Sequence, residues 1–154
     1  MNNNIPKTIL ITGATSGFGK ATAKLFNEKG WQTIITGRRG DRLEELAKEL
    51  GDKSLPLAFD ISDRRAVKSA IQNISPNFNN ISVLCNNAGL ALGLEGADNA
   101  NLDDWDQMID TNIKGLVYAT RAILPLMVEN GEGHIINLGS VSYTHLRAHE
   151  TSQH

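Results

Sequence analysis

The residues best placed to do chemistry come early, in Thr12-Gly13-Ala14-Thr15-Ser16-Gly17-Phe18-Gly19, directly after the apolar run Ile9-Leu10-Ile11. The chemistry this stretch suits is anion binding. A short buried strand ending at Thr12 must turn tightly before a helix can begin near Gly17, and glycine alone tolerates φ > 0 or a close backbone approach at no steric cost. The helix then aims its free N–H groups and the positive end of its dipole at the turn, which seats a diphosphate. The spacing Gly-x-x-x-Gly-x-Gly is one residue longer than the dinucleotide fingerprint Gly-x-Gly-x-x-Gly. A Gly-rich turn alone is also an ordinary strand-to-helix connection. The strand pattern before it and the helical pattern after it favour phosphate. Gly13, Ala14, Thr15, Ser16, Gly17, Phe18 and Gly19 are therefore the first candidate cofactor-binding residues.

Two further positions extend this reading. About twenty residues beyond the glycines, where an NAD-binding domain offers an acidic group to the adenosine 2′-hydroxyl, this chain has Arg38-Arg39. Solvated loop arginines are the plainer explanation. Their place after a second strand favours a guanidinium fork for a 2′-phosphate, and so NADP. Asp60, after a third apolar run, suits either an adenine amino group or a turn, and spacing does not choose between them.

The elements that must hold these residues are legible from periodicity. Strands are expected over Lys7–Thr12, Gln32–Thr36, Leu55–Phe59, Ile81–Cys85 and His134–Leu138. Between them, helical spacing runs from Gly17 to about Lys29 with Gly30 as its stop, and through Leu43, Leu46, Ala47 and Leu50 to Gly51, with a Glu44–Lys48 pair on the exposed side. A third helix, capped by Ser62, carries Ala66, Val67, Ala70, Ile71 and Ile74. A long loop, Leu90 to Asn101, leads to a helix from about Leu102 to Glu129, which Pro125 should kink or shorten. That helix has more than one apolar stripe, so part of it is expected to meet another subunit. Strands nearly continuous in apolar residues, alternating with helices, predict an α/β fold with a doubly wound parallel sheet of the Rossmann type.

Composition narrows the function classes. The chain has 154 residues, enough for one domain, with 15 Lys+Arg against 17 Asp+Glu, a balance that points to neither nucleic acid nor an acidic surface. Its N-terminus lacks the apolar segment of a signal peptide, and no apolar run is long enough to span a bilayer. The lone Cys85 sits in an apolar run and is expected to be structural. His134, His145, His149 and His154 lack metal-ligand spacing, so no metal is expected. A cytoplasmic location fits these features.

Taken in order, Thr12 to Gly19, Asp60, Asn86-Asn87-Ala88-Gly89, Asn112 within Asp110-Thr111-Asn112-Ile113-Lys114-Gly115, and His134 to Ser140 resemble the short-chain dehydrogenase/reductases. The resemblance covers the chain from its start to Ser140. Within that family it is nearest to the NADP-dependent 3-hydroxy acid dehydrogenases acting on serine, 3-hydroxypropionate and similar compounds, through Gly37-Arg38-Arg39, Asn87 to Gly93 and Asp110-Thr111-Asn112. It implies that Gly13, Ser16, Phe18 and Gly19 line the diphosphate, Arg38 and Arg39 hold the 2′-phosphate, and Asp60 and Ile61 contact adenine. It further implies that Asn87, with the backbone of Ala88 and Gly89, borders the nicotinamide ribose. Asn112 would bend the long helix and hold a water of a proton relay, and Ser140 would hydrogen-bond the substrate oxygen. The implied partner is a small 3-hydroxy acid, and the implied assembly of the parent is a homo-tetramer.

The family order fails after Ser140. Its Tyr-x-x-x-Lys, in which lysine lowers the pKa of the proton-transferring tyrosine, would put tyrosine at position 153, which is Gln153, and lysine beyond His154. Tyr143 is too near Ser140 and has no lysine at the right spacing. The tail from Val141 to Thr151 can be encoded by a run resembling a transposon-end sequencing adapter. Residues 1–140 are therefore expected to form an NADP-binding domain cut after its fifth strand, and residues 141–154 an artefactual tail. On this reading the parent is an NADP-dependent oxidoreductase of a small 3-hydroxy acid and its 3-oxo acid, and the fragment is inactive. The competing reading is a dinucleotide-binding sensor or interaction module on the same fold.

Overall fold

The computed structural model describes residues 5–15, 17–93 and 95–139. Its strands are β1 (Thr8–Ile11), β2 (Gln32–Gly37), β3 (Ser54–Ala58), β4 (Ile81–Asn86) and β5 (His134–Asn137). All pair in parallel, in the order β3-β2-β1-β4-β5. The helices between them are α1 (Gly17–Glu28), α2 (Gly40–Leu50), α3 (Arg64–Gln72), α4 (Leu102–Ile109) and α5 (Gly115–Asn130). The doubly wound α/β architecture read from the sequence is thus the one found.

Strand periodicity explains why both faces are covered. Leu10, Ile34 and Leu84 point to one face and pack with Val67 and Ile71 of α3 and Ala119, Ile123 and Met127 of α5. Their neighbours Ile9, Ile11, Ile35, Val83 and Cys85 point to the other, against Ala23 of α1 and Leu43 and Leu46 of α2. The four residues of β1 are all fully buried, as a central parallel strand requires. At roughly 25 cal/mol per Å² of apolar surface, each such leucine or isoleucine contributes about 1.5–3 kcal/mol. Pro56 is tolerated because β3 is an edge strand, where a missing N–H costs no ladder bond on the outer side.

Several expectations need correcting. Ser62 does not cap α3. Asp63 does, accepting from the N–H groups of Arg65 (3.0 Å) and Ala66 (3.1 Å), because Ser62 is drawn back to Asp60 by two hydrogen bonds. The third strand begins and ends one residue early, and the N–H of Phe59 closes the edge by donating to Gly37. The ion pair on α2 joins Glu49 to Lys24 of α1 at 3.2 Å rather than Glu44 to Lys48.

The long helix is interrupted, though not at Pro125. Residues Asp110–Lys114 form a π turn between α4 and α5, and α5 runs five residues past Pro125 before Gly131 stops it with φ 79°. Leu102, Trp105, Ile109, Ile113, Val117, Leu124 and Val128 remain exposed along this rod. Among the described residues, no helix is long and apolar enough to cross a membrane.

Candidate functional site

The strand order reverses between β1 and β4, so the loops leaving β1 and β4 diverge and open a crevice at the carboxyl ends of the strands. Hydrogen bonds across that opening tie its two walls together. The Thr12 hydroxyl accepts from the N–H groups of Asn87 (3.0 Å) and Ala88 (2.9 Å), while Asn87 Nδ2 donates to the Gly13 carbonyl at 2.9 Å. Gly13 lies at φ 63°, and a Cβ there would stand 2.9 Å from Ala88 Cα. The turn is therefore kept open by glycine and held in place by Thr12 and Asn87.

A cleft of about 470 Å³ follows. Gly13, Thr15 and Phe18 contribute to its wall, as do Arg38, Arg39 and Arg42 after β2, Asp60 and Ile61 after β3, and Asn87, Ala88 and Gly89 after β4. Of the other candidates, Ala14 is fully buried beneath the turn. Gly17 opens α1 at φ 58°, and Gly19 is buried against the Gly13 carbonyl. Ser16 and Ser140 lie outside the described residues, as does the tail.

Asp60 is both a turn residue and a cleft residue. Its Oδ1 accepts from the Ser62 N–H (2.9 Å) and hydroxyl (2.7 Å). Partial burial pushes its pKa up, but those two bonds and the nearby Arg38 charge together outweigh burial and hold it below the ordinary carboxylate range. It is therefore an acceptor at neutral pH. Ile61, beside it, is fixed by α5: a Cβ on Gly115 would come within 2.9 Å of Ile61 Cγ2, so only glycine allows the helix this close.

A second cleft, of about 700 Å³ and more apolar, shares Phe18, Asn87, Ala88, Gly89 and Leu90 with the first. Met108, Ile109, Ile113 and Leu116 line its far side, with Asn112 among them and Leu138 and Gly139 at the exit of β5. Asn112 lies in the π turn. Its Oδ1 accepts from the Leu90 N–H (2.8 Å) and its Nδ2 donates to the Leu90 carbonyl (2.9 Å). The resemblance implied a local bend of the helix at Asn112, and the structure has a π turn there. Replacing this residue should release the loop that starts at Leu90: Asn112→Ala removes two hydrogen bonds, each worth about 0.5–1.5 kcal/mol. Amide exchange at Leu90 should rise by roughly tenfold or more, with exchange in β1 unchanged.

Asn86, 4% exposed, closes the floor. Its Nδ2 donates to Thr120 Oγ1 (3.1 Å) and to Asn137 Oδ1 (2.9 Å), binding β4, α5 and β5 together. Burial raises the Cys85 pKa, leaving a neutral thiol in the core. Among the described residues no group of three or more His, Cys, Asp or Glu could hold a metal.

Sequence reasoning missed three contributors. Thr111 lines the first cleft from the π turn. Thr12 was legible as a strand end but not as an acceptor for two amides 75 and 76 residues away. Arg42 could have been found, since it lies three residues beyond Arg39, in the first turn of the helix that follows.

The arrangement has an arginine-lined end at β2–β3, a glycine-lined middle and a more apolar end near Asn112. Residues 7–151 match the family model of the short chain dehydrogenases. The NADP-dependent 3-hydroxy acid dehydrogenase YdfG of Shigella flexneri is 50% identical over 134 residues, 87% of this chain and 54% of that protein. The serine 3-dehydrogenase of Rhizobium radiobacter is 52% identical over 135 residues, 88% and 54% of the two chains. The crystal structure of serine dehydrogenase from Escherichia coli superposes with a TM-score of 0.86 at 48% identity, covering 90% of this chain and 64% of that one. A closed form of serine dehydrogenase complexed with NADP+ gives the same score over 56% of its length. The chain spans about half the length of the curated relatives it matches, and it belongs to the short-chain dehydrogenase family.

Proposed function

We propose that this chain is the NADP-binding part of an oxidoreductase that interconverts a small 3-hydroxy acid and its 3-oxo acid. The observation that carries the proposal is the pair of connected clefts, arginine-lined after β2 and joined through Asn87 to Gly89 to the apolar wall around Asn112. The cofactor fits the residues present: a Cβ at Gly13 or Gly19 would fill the turn, and Arg38 and Arg39 face the cleft with no carboxylate in ion-pair contact among the described residues. The relatives named for NADP-dependent 3-hydroxy acid and serine oxidation support the same assignment.

In this reading Gly13, Ser16, Phe18 and Gly19 form the diphosphate turn, Arg38 and Arg39 take the 2′-phosphate, and Asp60 and Ile61 bound the adenine. Asn87, with Ala88 and Gly89, faces the ribose next to the reacting ring. When bound, the nicotinamide exchanges a hydride with the substrate carbon. Ser140 donates a hydrogen bond to the substrate oxygen, and Asn112 holds a proton-relay water close to the Leu90 backbone. The exposed apolar stripe of α4 and α5 is the face proposed to meet further copies in a homo-tetramer, and a cytoplasmic location belongs to the same proposal.

The polypeptide of 154 residues has no Tyr-x-x-x-Lys following Ser140. Hydride transfer to a ketone creates an alkoxide that needs a proton, and a serine hydroxyl is too weak an acid to supply it. General acid–base catalysis is worth about 10²–10⁴-fold, so the purified chain is expected to bind NADPH without turning over. The assay is NADPH oxidation with 3-oxo acids and NADP reduction with serine or 3-hydroxypropionate. Turnover abolished by Ser140→Ala would refute the inactivity. A longer form carrying Tyr-x-x-x-Lys in register that binds NADPH but oxidises neither hydroxy acid would favour the sensor or interaction module.

A further inference from the structure

We infer that Arg42 is a third, specificity-determining contact for the 2′-phosphate, standing beside Arg38 and Arg39. The inference rests on the NADP reading above and deepens it. Arg42 lines the nucleotide cleft together with Arg38 and Arg39. It also lines a smaller groove of about 250 Å³, with Thr15, Lys20, Glu45 and Glu49, that adjoins the cleft at Thr15. Its side chain thus stands at the wall between the two.

The charges around Arg42 leave it available. Glu49 is engaged by Lys24 at 3.2 Å, and among the described residues no carboxylate lies within ion-pair distance of Arg42. Arg38 is less free, since its charge already acts on the ionised Asp60. Arg39, the extended residue before α2, and Arg42, in the first turn of α2, both line the nucleotide cleft. Three guanidinium groups on one cleft wall repel one another unless an anion sits among them. A phosphate monoester dianion, with three acceptor oxygens, can take a charge-assisted bond from each. A ribose 2′-hydroxyl cannot.

The test is calorimetric titration of the purified chain with adenosine 2′,5′-bisphosphate and with AMP, which differ in the 2′-phosphate alone. The parent chain should bind the bisphosphate more tightly. Arg42→Ala and Arg42→Gln should each lose about tenfold or more for the bisphosphate while AMP stays within twofold. Arg42→Lys should recover part of the loss, because a point charge remains but the fork does not. The inference is overturned if Arg42→Gln leaves bisphosphate affinity within twofold, or weakens both nucleotides equally. If the parent chain does not distinguish the two nucleotides, the NADP reading itself falls, and this inference with it. If the parent distinguishes them and the Arg42 variants do so equally well, the NADP reading stands and the role of Arg42 does not.

Discussion

Gly19→Ala should abolish nucleotide binding and lower the thermal midpoint by several degrees, although it adds only one methyl group. The Cβ would run into the Gly13 carbonyl oxygen and lie 2.5 Å from Asn87 Nδ2. Neither neighbour can yield freely. The Gly13 carbonyl is the acceptor for Asn87 Nδ2, and the Asn87 backbone is bound in turn to Thr12. Relief of the clash must therefore push β4's exit away from α1 and break the tie across the crevice. Overpacking of this kind costs about 1–3 kcal/mol, occasionally more. Gly17→Ala is the control. It meets nothing within 4 Å but sits at φ 58°, so it should cost only about 1 kcal/mol of backbone strain. Differential scanning calorimetry and NADPH fluorescence would compare the two. Equal effects at both positions would show that conformation, not contact, governs this turn.

The larger functional effect is expected from Arg38→Ala combined with Arg39→Ala. Each charge-assisted bond to a phosphate is worth about 1.5–3 kcal/mol, so NADPH affinity should fall by two orders of magnitude or more. NADH affinity should change far less, because it presents a hydroxyl where NADPH presents the dianion. The dependence on ionic strength should also flatten, since Arg38 and Arg39 are exposed and such charges are screened over about 10 Å at 0.1 M salt. Dissociation constants for the two dinucleotides, measured before and after substitution, decide it. An unchanged ratio would remove the 2′-phosphate assignment. Arg38→Ala should further release Asp60, allowing its pKa to rise toward the ordinary value.

The sequence exposed whatever depends on local periodicity. β1, β2 and β4 carry consecutive apolar residues because both sheet faces are covered, and each was found within one residue of its bounds. Gly30 and Gly51 stopped their helices for a local reason, positive φ. What escaped was set by partners distant in sequence or by competition among adjacent groups. Ser62 and Asp63 are both good caps, and only the prior claim of Asp60 on Ser62 decides between them. Thr12 looks like any strand-end threonine until β4 arrives beside it. Pro125 did not end its helix, since packing of Ile123 and Met127 in the core holds α5 on both sides of it. Arg42 was hidden by its company, reading as one more charge on the outer face of α2.

The π turn at Asp110–Lys114 carries a consequence of another kind, in the arithmetic of insertions and deletions. A residue in an α-helix advances the chain by about 100° and 1.5 Å, and a π turn accommodates one residue more than an α turn does. Removing a single residue there, Thr111 for instance, would let α4 and α5 fuse into one regular helix. That change should make the rod itself more stable, with higher helicity by circular dichroism. Because the π turn takes up that extra residue within one turn, the deletion would leave α4 and α5 nearly in their present phase, and Met108 would keep its place beside the Leu92 N–H that its sulfur accepts at 3.2 Å. What it would change is the turn itself, moving Asn112 off the Leu90 backbone that it holds at 2.8 and 2.9 Å. The same deletion within the regular part of α5, which Ala119, Ile123 and Met127 anchor in the core, would instead turn one side of the helix by about 100° against the other.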